Sequence, residues 1–268
     1  MLINRILNRL NYELSHLKFI HSKRRQQIFD VELSCDDVKK RFPTLNMEHE
    51  YFHHYFWNLA PDWLVNHRSY FSINKRAFGE DAFHAMWYLI FKEFKPKKIL
   101  EIGIYRGSTL TLFSLLVNKL KLNSKVHGIS PFSSAGDDVS TYLEDLDYLS
   151  DVKKNFEHFN LPLAYLHKGF STNIEMVKII ESNSWDLVFI DGNHDYDVAK
   201  HDFIVCSSAL KNGGLIVFDD ASLYVDFKPP FYSSAGHSGP SKVVSEIDKL
   251  QFKEILSVGH NRVFKKIV

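Results

Sequence analysis

Cysteine is scarce in this chain. The 268 residues hold two, Cys35 and Cys206, far apart and with no C-x-x-C pair. That argues against a disulfide framework or a zinc–thiolate site and makes a reducing cytoplasm the expected location. Neither charge is in excess: 33 Lys and Arg against 32 Asp and Glu leave a net charge of +1, which offers no attraction to a nucleic acid. Long apolar runs are missing too. The most hydrophobic window, Phe83 to Phe91, contains His84 and falls far short of the roughly 20 residues a membrane span needs. The N-terminus carries no continuous apolar core before a small-residue cleavage site, so no signal peptide is expected. What remains is a chain that is 45% hydrophobic, enough for one α/β domain with an appendage and a large core.

The stretch Lys98-Ile-Leu-Glu-Ile-Gly-Ile-Tyr-Arg-Gly-Ser-Thr-Leu110 organises the rest. Ile99, Leu100 and Ile102 form a short run rich in β-branched residues, which reads as a strand buried on both faces. Gly103 and Gly107 permit a tight turn and close approach of a ligand to the backbone. A side chain at Gly103 is therefore expected to intrude on that ligand. Ser108 or Thr109 can cap a following helix, whose Leu110, Leu112, Phe113, Leu115, Leu116 and Leu120 keep helical spacing. In an open α/β sheet such a turn lies at the carboxyl end of the first strand, where ligands bind. A dinucleotide fingerprint would read G-x-G-x-x-G. Here the pattern is Glu101-x-Gly103-x-x-x-Gly107. An acid two residues before the first glycine suits a cationic ligand and not a pyrophosphate. The stretch resembles motif I of class I S-adenosylmethionine-dependent methyltransferases, whose cofactor carries a sulfonium cation. A glycine turn that serves only packing is the alternative.

Before this unit the chain reads as a helical N-terminal extension, residues 1–78. Leu2, Ile3, Ile6, Leu7, Leu10, Leu14 and Leu17 recur at three and four up to about Gln27, followed by Lys23-Arg24-Arg25 within the same stretch. Such a helix could touch a membrane surface or a partner, but packing on the main domain or in a homo-oligomer interface is the plainer reading. Asp30 to Arg76 is aromatic-rich and reads as irregular, broken at Pro43 and Pro61. His49 and His53 stand one helical turn apart beside His54, a metal-ligand spacing. No acid or cysteine pattern completes it, and the surrounding aromatics favour packing or a cap over the site.

From residue 79 to 268 strands and helices alternate. Helices are expected at Gly79–Phe94, Val139–Phe159 (one helix or two short ones), Thr172–Ile180, Tyr196–Leu210 and Ser241–Leu250. Strands are expected at Val126–Ile129, Leu163–Leu166, Trp185–Ile190, Gly214–Phe218, Phe252–Val258 and Arg262–Ile267, the last two joined by the turn Gly259-His-Asn261. Repeated βαβ units imply a parallel sheet with right-handed crossovers. The expectation is a Rossmann-like, seven-stranded, mostly parallel sheet with helices on both faces and an antiparallel last strand.

Two further segments carry the chemistry: Ile190-Asp-Gly-Asn-His-Asp-Tyr196 after the fourth strand, and Gly213-Gly-Leu-Ile-Val-Phe-Asp-Asp220 in the fifth. Behind motif I and in this order, they resemble a methyltransferase family that includes macrocin O-methyltransferase-like and cephalosporin hydroxylase-like proteins, over about Lys98 to Val268. Neighbouring strands lie about 4.8 Å apart, so Asp191, Asp219 and Asp220 gather at one sheet edge if strands four and five are adjacent. Three such carboxylates repel unless a proton or cation joins them. Hard oxygen ligands suit Mg²⁺ foremost, or Ca²⁺ or Mn²⁺; the resemblance implies the same three positions as metal ligands. The alternative is that they cap turns and bond backbone amides. His194 could be a general base on a hydroxyl or could hold its loop. His237 is a second candidate base, in a Gly/Ser-rich segment, Ser233–Pro240, that reads as a lid. Glu101, Gly103, Gly107, Ser108, Ser130 and Asp191 are the expected cofactor contacts. Related enzymes place an acid where Ser130 stands, so Asp137 or Asp138 could reach the ribose instead.

The function these residues imply is an S-adenosylmethionine-dependent O-methyltransferase. Its acceptor would be a hydroxyl on a small molecule, a sugar or glycosylated metabolite, and a divalent cation would assist. A nucleotide-dependent oxidoreductase and a non-catalytic binding module on the same fold are the rivals.

Overall fold

A computed structural model of the chain describes residues 32–74 and 76–268. The helix expected up to Gln27, and with it any membrane, partner or oligomer contact it makes, lies outside the described residues. Among those described, four helices precede the first strand: α1 (Cys35–Arg41), α2 (Leu45–Asn58), α3 (Asp62–Phe71) and α4 (Asp81–Phe94). The segment expected to be irregular is thus mostly helical. Its prolines sit at boundaries and break nothing. Pro43 precedes Thr44, whose hydroxyl caps α2 by accepting from the Met47 amide at 3.3 Å, and Pro61 is itself the N-cap of α3. The aromatics of α2 fall at Tyr51, Phe52, Tyr55 and Phe56, two neighbouring rows of one helix face, and all four are buried.

Strand and helix then alternate: β1 (Lys98–Ile102), α5 (Ser108–Lys119), β2 (Lys125–Ser130), α6 (Tyr148–His158), β3 (Tyr165–Lys168), α7 (Ile174–Glu181), β4 (Trp185–Ile190), α8 (Tyr196–Ala209), β5 (Leu210–Phe218), α9 (Ser238–Ser245), β6 (Phe252–Val258) and β7 (Asn261–Lys266). The sheet order is β3-β2-β1-β4-β5-β7-β6. All pairings are parallel except those of β7, which runs against both β5 and β6. The expected seven-stranded, Rossmann-like arrangement with helices on both faces is what forms.

Strand alternation sorts the core into two layers. Ile99, Leu187, Phe189, Leu215 and Val217 point to one face, where they pack with α2, α4 and α5. Leu100, Ile102, Val188, Ile190, Ile216 and Phe218 point to the other, under α7, α8 and α9. Trp87 of α4 wedges edge-on between Phe113 of α5 and Phe189 of β4, at 4.7 and 5.0 Å between centroids. Residues of α1, α2 and α3 belong to that same cluster, so the pre-sheet helices share a core with the sheet.

Four elements differ from expectation. Strand β5 starts at Leu210, four residues ahead of Gly214. The helix foreseen over 139–159 forms only from Tyr148, where the Asp147 carboxylate caps it by accepting from the Ser150 amide at 2.9 Å. Residues before it make a long loop over the strand ends. The third strand lies two residues later than expected, because this edge strand is half-exposed and carries little apolar signal. The helix foreseen at 241–250 begins at Ser238 and ends at Ser245. No described helix is long and apolar enough to cross a membrane.

Candidate active site

The strand register builds the site. Ile102 pairs with Ile190, and Ile190 with Phe218. The next residue along each strand still joins the ladder: Gly103 N–H donates to Ile129 O at 3.0 Å, Asp191 N–H to Ile102 O at 2.8 Å, and Asp219 N–H to Ile190 O at 3.0 Å. Gly103, Asp191 and Asp219 therefore stand in a row at the carboxyl edge of the three central strands. A cavity of about 480 Å³ opens over that edge. Glu101, Gly103, Ser108, Ser130, Asp191, His194, Asp219, Asp220 and His237 all line it.

Gly107 does not. It has φ +81° and serves as the N-cap of α5, a place held by backbone and not by Ser108 or Thr109. A Cβ there would meet Val152 at 3.2 Å, so this glycine serves the turn and the packing of α6. Gly103 also differs from expectation. At φ +89° its missing Cβ would stand 1.8 Å from the Asp191 carbonyl oxygen. What comes close to this glycine is the protein's own β4 loop, and no ligand volume is needed to explain it.

Glu101 lies on the β1 face toward α4, 1% exposed, and its Oε2 has no hydrogen-bond partner. Burial, with the Asp219 charge adding to it, pushes its carboxyl well above the usual range. The other carboxylates of the cavity are joined to one another and to imidazoles. Burial and the neighbouring Asp219 push Asp191 well up, and the two share a hydrogen bond. Burial also raises Asp219, while His260 pulls against it. Asp219 Oδ1 accepts from Asn261 Nδ2 at 2.8 Å and lies 3.2 Å from His260 Nε2. Burial would raise Asp220 as well, but His194, His260 and His237 outweigh it and leave that group ionised.

His194 is clamped. Its Nδ1 lies 2.8 Å from Asp137 Oδ2 and its Nε2 2.9 Å from Asp220 Oδ2. Burial works against protonation, yet the two carboxylates lift its pKa to about 9. Both ring nitrogens then donate, and of its two foreseen roles the geometry favours holding the loop. Asp137 is fully engaged: one oxygen accepts from the Val139 and Ser140 amides, the other from the His194 amide and ring. It fastens the long 131–147 loop to the β4 loop and is not left for a ribose. The segment foreseen as a lid is fastened too. His237 N–H donates to Asp220 O at 2.8 Å, Ser222 N–H to Ala235 O at 3.0 Å, and α9 begins at Ser238. It forms a wall of the cavity. The His237 ring leans on that of His194 at 4.2 Å between centroids, with a nitrogen near Asp220.

His260 escaped the sequence reading because its turn reads only as a hairpin. Its Nδ1 is 2.9 Å from Ser234 Oγ and 3.5 Å from Asp220 Oδ1. Burial opposes its protonation, but Asp219, Asp220 and Glu80 raise its pKa. The usable signal was topological: β6 runs parallel to β4 and β5, so the turn after it reaches the same sheet edge as Asp191 and Asp219.

Residues 100–221 match the profile of a family described as a methyltransferase domain. The chain is 29% identical over 152 residues to an uncharacterized protein of Acanthamoeba polyphaga mimivirus. That alignment covers 55% of this chain and 59% of the relative, so the chain spans somewhat more than half of that relative's length. Among solved structures, an SAH-bound methyltransferase of Podospora anserina superposes with a TM-score of 0.55 at 15% identity, covering 89% of this chain and 99% of its own. An O-methyltransferase of Bacillus cereus in complex with SAH gives 0.54 at 14%, covering 80% and 96%. At those identities the shared property is the fold.

Proposed function

We infer from its class I methyltransferase domain that this chain transfers the methyl group of S-adenosylmethionine to a hydroxyl of a small molecule. One observation carries the reading: a single cavity is lined both by a buried acid, Glu101, whose Oε2 has no partner, and by a cluster of carboxylates and imidazoles. The first suits the cationic cofactor. The second suits a hydroxyl that must lose its proton. SAH (S-adenosylhomocysteine) is the product such a reaction leaves, and the Podospora and Bacillus proteins bind it.

In the cofactor half, burial favours the neutral form of Glu101, and a bound cation beside it would favour the charged form. Ser130, 7% exposed at the end of β2, offers a hydroxyl to the ribose. In the acceptor half, the group that fits a divalent ion, Mg²⁺ foremost, is Asp219, Asp220 and His260; Asp191, the third ligand expected from the sequence, stands beside Asp219 but outside that group. Asp219, Asp220 and His260 bring ligand atoms within 4.8 Å of one another. When bound, such an ion supplies an anchor and Lewis acid for the acceptor oxygen. His237 takes the hydroxyl proton, because His194 is already a double donor. An acceptor such as a sugar offers several hydroxyls, and the wall at Ser233–Pro240 selects among them.

Calorimetric titration tests the cofactor half. S-adenosylmethionine and S-adenosylhomocysteine are expected to bind at micromolar or tighter Kd, about −8 kcal/mol or better, and NAD not at all. Binding of NAD alone would return the oxidoreductase reading.

A pair of variants separates the histidines. His237→Ala should lower kcat by about 10²-fold or more without changing the melting temperature. His194→Ala should instead destabilise the fold by about 3 kcal/mol, since it strips partners from two partly buried carboxylates. If His194→Ala cuts kcat more than His237→Ala and leaves stability intact, the base is His194.

A further inference from the structure

His49 and His53 stand one turn apart on α2, so both rings leave the same helix face. The neighbouring Glu48 is taken up by Lys39 and the Ser257 amide. The fold brings another acid, Glu80, the residue that precedes α4. His49 Nε2 lies 2.8 Å and His53 Nε2 3.4 Å from the same oxygen, Glu80 Oε2, and one ligand atom from each of the three residues falls within 4.8 Å of the others. All three side chains are buried, at 2%, 3% and 9% exposure. Zinc bonds of about 2.0–2.1 Å at tetrahedral angles set ligand atoms roughly 3.3–3.4 Å apart. The trio therefore needs only small side-chain shifts to close on an ion.

The surroundings leave a side open. A second cavity, about 460 Å³, is lined by His53, Glu80, Tyr232 and His260. It meets the first at Phe78, Gly79, Ser234 and His260. Two imidazole nitrogens and one carboxylate oxygen, with a cavity on the remaining side, make the donor set of zinc sites that keep an open position. Imidazole also suits other transition ions, whereas Mg²⁺ takes oxygen ligands. This donor set is thus chemically distinct from Asp191, Asp219 and Asp220.

We propose that His49, His53 and Glu80 form a second divalent-metal site, selective for a zinc-class ion, with an open coordination position facing the second cavity. The ion replaces two hydrogen bonds to one carboxylate oxygen by three metal–ligand bonds. It ties α2 to the start of α4 beside the turn that carries His260. The proposal stands whether or not an ion binds the aspartates.

The full chain, freed of metal by a chelator and dialysed, is titrated with Co²⁺ in excess Mg²⁺, which occupies any all-oxygen site. One equivalent per chain is expected to give the visible d–d absorption of an imidazole-bound, low-coordinate ion. Zn²⁺ should abolish that band by competition and raise the melting temperature. His53→Ala and Glu80→Gln should each weaken Co²⁺ binding by more than about 100-fold, while Asp219→Asn leaves it unchanged. X-ray absorption at the zinc edge of the wild type, which needs no variant to fold, should show two histidines in the shell. No saturable Co²⁺ band, a band that survives unweakened in Glu80→Gln, as it would if His194, Asp220 and His237 held the ion, or an all-oxygen zinc shell would overturn the proposal and leave a hydrogen-bonded trio.

Discussion

Asp219→Asn is expected to lower kcat/KM for methyl transfer by about 10³-fold and to leave S-adenosylmethionine affinity within about threefold. The first figure corresponds to roughly 4 kcal/mol of lost transition-state stabilisation, the several kcal/mol that an anchoring cation and its ligands supply. Asp219 sits at the junction of the acceptor half, hydrogen-bonded to Asp191 and Asn261 and 3.2 Å from His260. Asparagine keeps the size and one acceptor oxygen but removes the charge that would hold an ion and that favours protonation of His260. Cofactor affinity should change little, because the cofactor half is read at Glu101 and Ser130. Chelation of the wild type by EDTA should reproduce the loss, and added Mg²⁺ should restore it. Full activity in EDTA, with an acceptor known to be turned over, would remove the cation from the mechanism. Proton transfer by His237 alone would then remain.

Gly103→Ala is the second large expectation, and its effect is on stability first. An L-residue held at φ +89° carries a cost of about 1–2 kcal/mol. The new Cβ would also stand 1.8 Å from Asp191 O and 2.4 Å from Asp191 C. Backbone cannot swing aside as a flexible side chain can, so the β4 loop must shift, at about 1–3 kcal/mol more. Together these predict a loss of roughly 3 kcal/mol or more in denaturant unfolding. Cofactor affinity should fall as well, through displacement of Asp191 and the loop behind it. If the variant unfolds like the wild type yet fails to bind S-adenosylmethionine, the glycine makes room for the ligand itself, and the close approach of Asp191 is incidental.

Much of this molecule was legible from residue pattern. The buried strands β1, β4 and β5 declare themselves as apolar runs, and the motifs at their ends are contiguous, so Glu101, Asp191, Asp219 and Asp220 could be named together. Edge and loop features were less legible. Strand β3 has one exposed side and a weak apolar signal. The 131–147 loop carries enough helix-compatible residues to imitate a helix, but its form is set by Asp137 gripping the His194 loop across 57 positions. Contacts at such separation leave no local pattern. The same holds for Glu80, which meets His49 and His53 from the position just before α4. The aromatic run of α2 read as irregular because its helix propensity is ordinary and its prolines looked like breaks. Burial of Tyr51, Phe52, Tyr55 and Phe56 against the sheet layer supplies what propensity does not.

The reversed strand has a consequence for the order in which the molecule is assembled. Strands β1 through β5 pair in parallel through successive crossovers, and each new unit can dock on those already formed. Strand β7 cannot. It enters between β5 and β6, with Phe218 opposite Arg262 and Ser257 opposite that same residue. The two outer strands must therefore leave a gap one strand wide, or β6 and β7 must arrive together as a preformed hairpin. Contacts over such sequence distances are slow to form. Until they do, an early intermediate can possess the Glu101 half of the cavity while Asp219 still lacks Asn261 and His260. A folding chain would then gain its capacity to hold the methyl donor before it gains the surroundings that discipline the proton, and hydrogen exchange should record the two halves as separate kinetic phases.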